Sequence, residues 1–202
     1  METKVAKIVS VIFQPLLIPT YSLLLIFSLN NYIALIIPSE YRKIIVIIVA
    51  VTTFILPALF ILIMYRRKMI NSLNMDRREE RILPLFITGI FYFLAYNLMR
   101  RINLDEIYLR LFLGSFLSVI TALVISFFWK ISMHMIGMGG FVGALIGVTQ
   151  IIPVDLALWV MIGVFLSGLT GFARLKLNAH TPLQVYAGFL GGLLVMLLIF
   201  RF

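Results

Sequence analysis

Seven long apolar stretches, separated by short clusters of charged residues, restrict the fold of this chain more than any other feature. A helix needs about 20 apolar residues to cross the hydrocarbon core of a bilayer. Because 62% of the 202 residues are hydrophobic and only 12% are charged, a soluble fold would lack the polar surface to cover its core. The sequence predicts an all-α, polytopic transmembrane helix bundle of about six or seven spans. We place the spans at about 5–29, 44–65, 82–99, 109–129, 133–151, 156–172 and 183–200.

A single integral membrane domain over residues 1–202 is expected, because no repeat, low-complexity segment or linker interrupts the chain. The first stretch starts with basic residues, as a signal peptide does, but Pro15, Pro19 and the lack of a small-residue cleavage site favour a retained span. The absence of cysteine excludes a disulfide framework and a thiolate metal site. The net charge of +9 comes from residues at span ends, which indicates contact with anionic lipid head groups and not with nucleic acid.

Polar residues gather at one face of the predicted bundle. Connections 66–81, 130–132 and 173–181 lie on the same side as the N-terminus, and this face includes both histidines, His134 and His180. Ionisable groups at membrane depth are costly, so their usual interpretation is functional. Arginine holds phosphate oxygens with its fork of donors, and histidine attacks phosphorus or moves a proton near neutral pH. Together they can transfer a phosphoryl group without a metal ion.

A histidine motif before the last span resembles that of a known family. The segment ARLKLNAHTPLQ is similar to the third motif of the type-2 phosphatidic acid phosphatase superfamily, which reads Ser-Arg, five residues, His, three residues, Asp. Arg174 and His180 match this motif at the proper separation. Ala173 replaces the serine, and Gln184 replaces the aspartate.

Two further segments resemble the other motifs of that family. The segment ISMH is similar to the second motif, Pro-Ser-Gly-His, since it keeps Ser132 and His134 but loses the proline and the glycine. The first motif, Lys, six residues, Arg-Pro, aligns with SLNMDRREERILP at Arg81. Pro84 then follows three residues on, and Asn74 stands where the lysine belongs. The order of the motifs and their common face agree with the family.

The resemblance covers about 74–188 and implies a divergent, bacterial-type member in the inner membrane, with the first span added to the usual six. It implies metal-independent hydrolysis of a phosphomonoester or diphosphate lipid. His180 would attack phosphorus and form a phosphohistidine, while His134 would protonate the leaving oxygen and later activate water. The implied phosphate-binding residues are Arg174, Arg81 and Ser132, with Lys130, Arg77 or Arg78 in place of the missing lysine.

Gln184 has two interpretations. In the family, the aspartate at this position fixes the tautomer of the nucleophilic histidine and stabilises its cationic form, whereas an amide can only orient the ring. Replacing a triad aspartate by an amide costs ~10⁴ in rate. Alternatively, Gln184 forms a capping box with Thr181 at the start of the last helix, with Pro182 at the first helical position.

Structural interpretations stay open for the other site residues as well. His134 could be a buried bridge between helices. The role of His180 could be limited to a hydrogen bond with a loop carbonyl. Arg174 could be a cation at a span end that extends to the interface. Residues 77–81 could form a solvated helix with ion pairs to its own carboxylates.

Three functions remain open on the sequence alone. The first is the lipid phosphatase. The second is a catalytically degenerate relative that binds phospholipid head groups, which the missing lysine and aspartate favour. The third is a small transporter, which the glycine-rich spans favour. Without an aspartate-rich pair or a His-Glu-x-x-His helix, no metal and no cofactor are predicted. The expected partners are the bilayer and a membrane lipid that carries phosphate or diphosphate. The sequence does not predict an oligomeric state.

The orientation in the membrane is not fixed by the sequence, because two guides disagree. The face with the histidines has 11 Lys and Arg residues and the opposite face has 6, so the positive-inside rule places the site in the cytoplasm. The family resemblance implies a site on the outer side.

Overall fold

The computed structural model describes residues 2–29, 32–73, 75 and 77–202, and the side chains of all of these except residues 32 and 33. Every regular element within these ranges is helical. Short breaks are made by a 3₁₀ turn at Pro15–Leu17 and a π-helical segment at Val51–Ile55. The α-helices are α1 (Glu2–Ile12), α2 (Ile18–Ser28), α3 (Tyr32–Ile36), α4 (Ser39–Ala50), α5 (Leu56–Arg66), α6 (Glu79–Arg101), α7 (Glu106–Ser126), α8 (Met133–Ile151), α9 (Ala157–Lys176) and α10 (Pro182–Arg201).

In the described chain, seven helical segments are long and apolar enough to cross a membrane. The prediction of an all-α polytopic bundle is therefore confirmed, and the chain is an integral membrane protein. The largest difference from the predicted boundaries is at the second span, which begins at Ser39 and not near residue 44. The spans are Glu2–Ser28, Ser39–Arg66, Glu79–Arg101, Glu106–Ser126, Met133–Ile151, Ala157–Lys176 and Pro182–Arg201.

The first span is broken near its middle at Pro15. Proline has no backbone N–H and disfavours a helical conformation in the residue before it, so α1 ends and a 3₁₀ turn leads into α2. The Gln14 amide donates to the Val11 carbonyl at 3.3 Å instead of continuing the helical ladder to Ser10. The Ser10 carbonyl is thus left to accept a hydrogen bond from outside its own helix.

Helices α8 and α10 approach each other most closely, because glycines lie where they cross. A Cβ added to Gly139 would overlap the Phe189 carbonyl, and one added to Gly188 would lie 2.8 Å from the Ser132 carbonyl oxygen. Small residues permit this kind of close backbone approach in membranes. The Ser132 amide also donates to the Gln184 carbonyl at 3.4 Å. As a result, the N-terminal ends of α8 and α10 lie side by side.

Two main apolar clusters fill the bundle. One surrounds Tyr108, Phe112 and Leu145 and joins α2, α4, α6, α7, α8 and α10 in the half away from the histidines. The other surrounds Leu85 and Tyr92 and joins α6, α7 and α8 nearer to them. The candidate site adjoins this second cluster.

Candidate functional site

His180 lies immediately before α10 and is fixed by the cap of that helix. The Thr181 hydroxyl accepts from the Gln184 amide at 3.5 Å, and Gln184 Oε1 accepts from the Thr181 amide at 3.1 Å. The predicted capping box is therefore confirmed. The same Oε1 lies 3.0 Å from His180 Nδ1, so one side chain both caps the helix and contacts the histidine.

This double contact determines the tautomer of His180. A backbone N–H can only donate, so the Gln184 atom beside the Thr181 amide is the side-chain oxygen. An amide oxygen only accepts, and His180 Nδ1 is therefore the donor in the second contact. The lone pair of the neutral ring is left on Nε2. Gln184 therefore caps the helix and orients the His180 ring at the same time.

The environment of His180 favours the neutral ring. The side chain is only 9% exposed. Burial is the main cause that lowers the pKa of His180 to about 3. The hydrogen bond to Gln184 opposes this lowering of the pKa, and the positive charges of Arg81, Arg174 and Lys130 add to it. At neutral pH, His180 is uncharged and carries a free electron pair.

His134 bridges α8 to the first span. Its Nε2 lies 3.0 Å from the Ser10 carbonyl oxygen, the group that the break at Pro15 leaves outside the helical ladder. A carbonyl only accepts, so Nε2 of His134 is the donor, and Nδ1 of the neutral ring carries the lone pair. This is the bridge between helices that the sequence left open as an alternative. The same ring also lines the cavity described below.

Ser10 also contacts Arg174, which stands in the last turn of α9. Arg174 Nη1 lies 3.3 Å from the Ser10 hydroxyl, which is buried, so the guanidinium group points into the bundle and does not extend to the interface. Sequence reasoning missed Ser10, because the first span lies outside the three motifs. A readable signal was present: Ser10 is a polar residue inside an apolar stretch, five positions before a helix-breaking proline.

Arg81 braces two backbone segments at the edge of the site. It is 6% exposed, its Nε donates to the Met75 carbonyl at 2.9 Å, and its Nη1 donates to the Ile131 carbonyl at 2.8 Å. These bonds tie the segment before α6 to Ile131, the first residue of the segment ISMH. Asn74, aligned with the lysine of the first motif, lies outside the described residues.

Three of the predicted phosphate-binding residues do not line the cavity. Ser132 is fully buried at the start of α8, and its hydroxyl has no hydrogen-bond partner within the described part of the chain. Lys130 is partly buried and lies close enough to contribute its charge at His180. Arg78 turns away, since its Nη1 donates to the Phe128 carbonyl at 2.8 Å.

Arg77 and Arg78 both interact with the carboxylate of Glu79. Arg78 Nε lies 2.9 Å from Glu79 Oε1, and Arg77 Nε lies 3.9 Å from Glu79 Oε2. All three side chains are about half exposed or more. This segment therefore matches the alternative of a solvated helix start with local ion pairs, and exposed pairs of this kind contribute little to stability.

Four of the predicted residues meet at the polar end of one cavity, which has a volume of about 280 Å³. They are His134, His180, Arg81 and Arg174. Among the residues described as lining this cavity there is no aspartate or glutamate, so its polar end is cationic. The described residues also contain no group of three His, Asp or Glu side chains placed to hold a metal ion.

The cavity continues from this polar end towards the middle of the bundle. Its wall on α6 runs from Arg81 through Thr88 to Tyr92, and on α7 it reaches Ser115 and Ser118. At 1.5 Å per residue, the 11 residues from Arg81 to Tyr92 span about 16 Å, which is roughly half the hydrocarbon thickness of a bilayer. Sequence reasoning missed the inner hydroxyl residues.

The cavity also reaches the outer surface of the bundle. Val11 and Leu73 belong to its lining, yet they are 71% and 53% exposed. Both are apolar, so the opening between α1 and the segment after α5 is suited to contact with lipid.

The fold and the site together define an integral, all-helical membrane protein with a cationic, histidine-containing cavity. No protein-family model matches the chain, and it has no significant match among curated proteins or solved structures. The resemblance to the phosphatase superfamily therefore rests on the motif residues themselves.

Proposed function

We propose that the protein is a metal-independent lipid phosphatase, related to the type-2 phosphatidic acid phosphatase superfamily, which hydrolyses a phosphomonoester or diphosphate lipid. The observation that carries this proposal is the pairing of His180 Nδ1 with Gln184 Oε1 at 3.0 Å. It leaves Nε2 of a neutral, buried imidazole as a nucleophile, beside Arg174 and Arg81 on a cavity with an apolar opening. Arginine and neutral histidine in a water-poor site are suited to phosphoryl transfer.

In the first step, His180 Nε2 attacks phosphorus while the bond from phosphorus to the lipid oxygen breaks. For a phosphomonoester that arrives as the monoanion, the substrate proton moves to Nδ1 of His134 and then to the leaving lipid oxygen. Nε2 of His134 can keep its proton and its hydrogen bond to the Ser10 carbonyl throughout, since the other ring nitrogen carries the transferred proton. Arg174 stabilises the charge on the phosphoryl oxygens.

In the second step, water attacks the phosphohistidine and restores His180. His134 Nδ1 accepts one proton of this water and passes it to the phosphate, which leaves as the monoanion, so that both histidines return to their neutral forms. Gln184 keeps the His180 ring oriented in both steps, but its neutral amide cannot stabilise a cationic phosphohistidine as a carboxylate does. We therefore expect slow turnover relative to enzymes with an aspartate at this position.

The test is phosphate release by the purified protein in detergent with EDTA present. The panel contains phosphatidic acid, phosphatidylglycerophosphate and a polyprenyl diphosphate. His180→Ala should abolish release, and Leu183→Ala, an exposed change three residues on in the same helix start, should retain it. An acid-labile, alkali-stable phosphoprotein should be trapped from labelled substrate in the wild type only. Release that continues in folded His180→Ala protein contradicts the mechanism.

A head-group-binding protein without catalysis is the second candidate. It is favoured by the neutral Gln184 and by Arg81, which uses Nε and Nη1 to hold two backbone carbonyls. In that case the wild type would bind lipid phosphates and release no phosphate, and Arg174→Gln would weaken the binding.

A further inference from the structure

The geometry points to a second polar subsite at the inner end of the cavity, where the Ser118 hydroxyl donates a hydrogen bond to an acceptor atom on the chain of a single-chain phosphate lipid. The inference rests on the proposed function in one respect only, namely that the phosphate of the lipid binds beside His180 and Arg174. The inner subsite itself is argued from the cavity and its hydroxyl groups.

The inner part of the cavity has the shape of a shaft. On α6, Arg81, Thr88 and Tyr92 share one helix face, because their spacings of seven and four residues are close to whole turns. Gly140 of α8 also lines the cavity and presents no side chain to it. The lining residues of α6 and α8 thus continue the cavity inward from the histidines.

The dimensions of the shaft suit one hydrocarbon chain. The whole cavity, with its polar end included, has a volume of about 280 Å³, just below the usual range for ligand pockets, about 300–1,000 Å³. An extended polypeptide covers at most about 3.6 Å per residue, and each residue contributes three backbone bonds, so one bond covers about 1.2 Å. About 14 bonds of an extended hydrocarbon chain therefore cover the roughly 16 Å from Arg81 to Tyr92. Two chains of that length cannot lie side by side in this space.

The inner end of the shaft is not apolar. Among the described lining residues, Ser22, Thr88 and Ser115 each donate to the carbonyl four residues earlier in their own helix, at 2.8–3.0 Å. Ser118 does not: it is 7% exposed, lines the cavity, and its hydroxyl has no hydrogen-bond partner within the described residues. A buried hydroxyl without a partner is costly, and such groups usually mark a site that something else completes.

A plain alkyl chain would leave Ser118 unsatisfied, whereas a chain with a carbonyl, ether or hydroxyl oxygen at this depth would accept its proton. The ligand class is therefore a phosphate lipid with one chain that carries an acceptor group about 14 bonds from phosphorus. Because water could also occupy the inner end, the test must compare chains that differ only in the acceptor.

The experiment measures binding of two alkyl phosphonates, which resist hydrolysis, to the purified protein in detergent by calorimetry. One has a plain chain, and the other has a ketone about 14 bonds from phosphorus. We expect the ketone to bind roughly three- to tenfold more tightly to the wild type, the range for one net hydrogen bond. Ser118→Ala should remove this preference. Ser126→Ala is the matched control, since Ser126 is also buried in α7 but bonds to Ala122 and does not line the cavity.

Equal binding of the two phosphonates by the wild type, a ketone preference that persists in Ser118→Ala, or no binding of either compound would overturn the subsite. These outcomes do not depend on catalysis. A ketone preference in a protein that releases no phosphate would refute the phosphatase and leave the inner subsite established.

Discussion

The Ser10 carbonyl oxygen and Nε2 of His134 lie 3.0 Å apart, although 124 positions separate the two residues in the chain. The contact exists because Pro15 interrupts the helical ladder of the first span and leaves the Ser10 carbonyl without its usual partner. The Ser10 hydroxyl extends the contact to Arg174. The first span is therefore part of the site, and not only an addition to a six-span bundle.

This relationship predicts that His134 has two separable roles. His134→Ala should lower the free energy of unfolding by about 1–3 kcal/mol, because it leaves the partly buried Ser10 carbonyl without a donor. His134→Gln can still donate to that carbonyl through its amide but cannot transfer a proton. We expect it to retain most of the stability and to lose phosphomonoester hydrolysis. Thermal unfolding in detergent and phosphate release, measured on the same preparations, check both expectations, and equal melting temperatures for the two variants would refute the structural role.

A second prediction concerns the charge beside His180, the proposed nucleophile. Gln184→Glu keeps an oxygen within reach of both His180 Nδ1 and the Thr181 amide, and glutamate is also a favourable residue at this position of a capping box. The added negative charge should raise the pKa of His180 and stabilise its cationic intermediate. Phosphate release should increase by at least about tenfold, since the corresponding loss in a catalytic triad is ~10⁴. A folded variant with unchanged or lower turnover would show that Gln184 serves only the helix cap.

Much of this arrangement is visible in the sequence. The length of the apolar stretches predicts the spans, the Thr181-Pro182-x-Gln184 pattern predicts the cap, and the number of crossings places both histidines at one face. Each of these features depends on residues that are close in the chain or on the number of spans, so no knowledge of packing is needed.

The rest depends on how each span is rotated about its own axis, and hydropathy does not reveal this. Faces towards lipid and faces towards the bundle are both apolar, so the sequence could not show that Ser118 lines a cavity or that Ser10 meets His134. Arg78 illustrates the same difficulty near the interface. Its spacing allows a phosphate contact, yet its guanidinium bonds the Phe128 carbonyl, 50 residues away.

The low pKa of His180, about 3, predicts how stability changes with pH. Above pH 6.5, the ordinary pKa of the unfolded histidine, the residue is neutral in both states and contributes no pH dependence. Between pH 6.5 and about 3 the unfolded state binds the proton more readily, so stability falls as the pH decreases. The melting temperature should drop between pH 7 and pH 4, and the drop should be smaller in His180→Gln. If the two proteins show the same drop, His180 does not titrate in this way.

The same low pKa also predicts how activity depends on pH at the acidic end. Because His180 stays neutral in the free protein well below pH 6, protonation of the nucleophile should not reduce kcat/KM between pH 7 and pH 5. An acid limb with an apparent pKa near 6.5 that moves to higher pH in Gln184→Glu would contradict the assignment of a neutral, buried nucleophile. The measurement is the pH profile of phosphate release from a substrate whose own ionisation is determined in parallel.

Two neighbouring glycines in α10 provide a final prediction about how the site is held together. A Cβ at Gly192 would overlap the Ile136 carbonyl of α8, whereas a Cβ at Gly191 would meet no atom within 4 Å. Gly192→Ala should force α8 and α10 apart, lower the melting temperature and reduce phosphate release, because the two helices hold His134 and His180. Gly191→Ala should be neutral or stabilising by up to about 1 kcal/mol, since alanine favours the helix. Similar losses in both variants would mean that the close contact between α8 and α10 does not determine the geometry of the site.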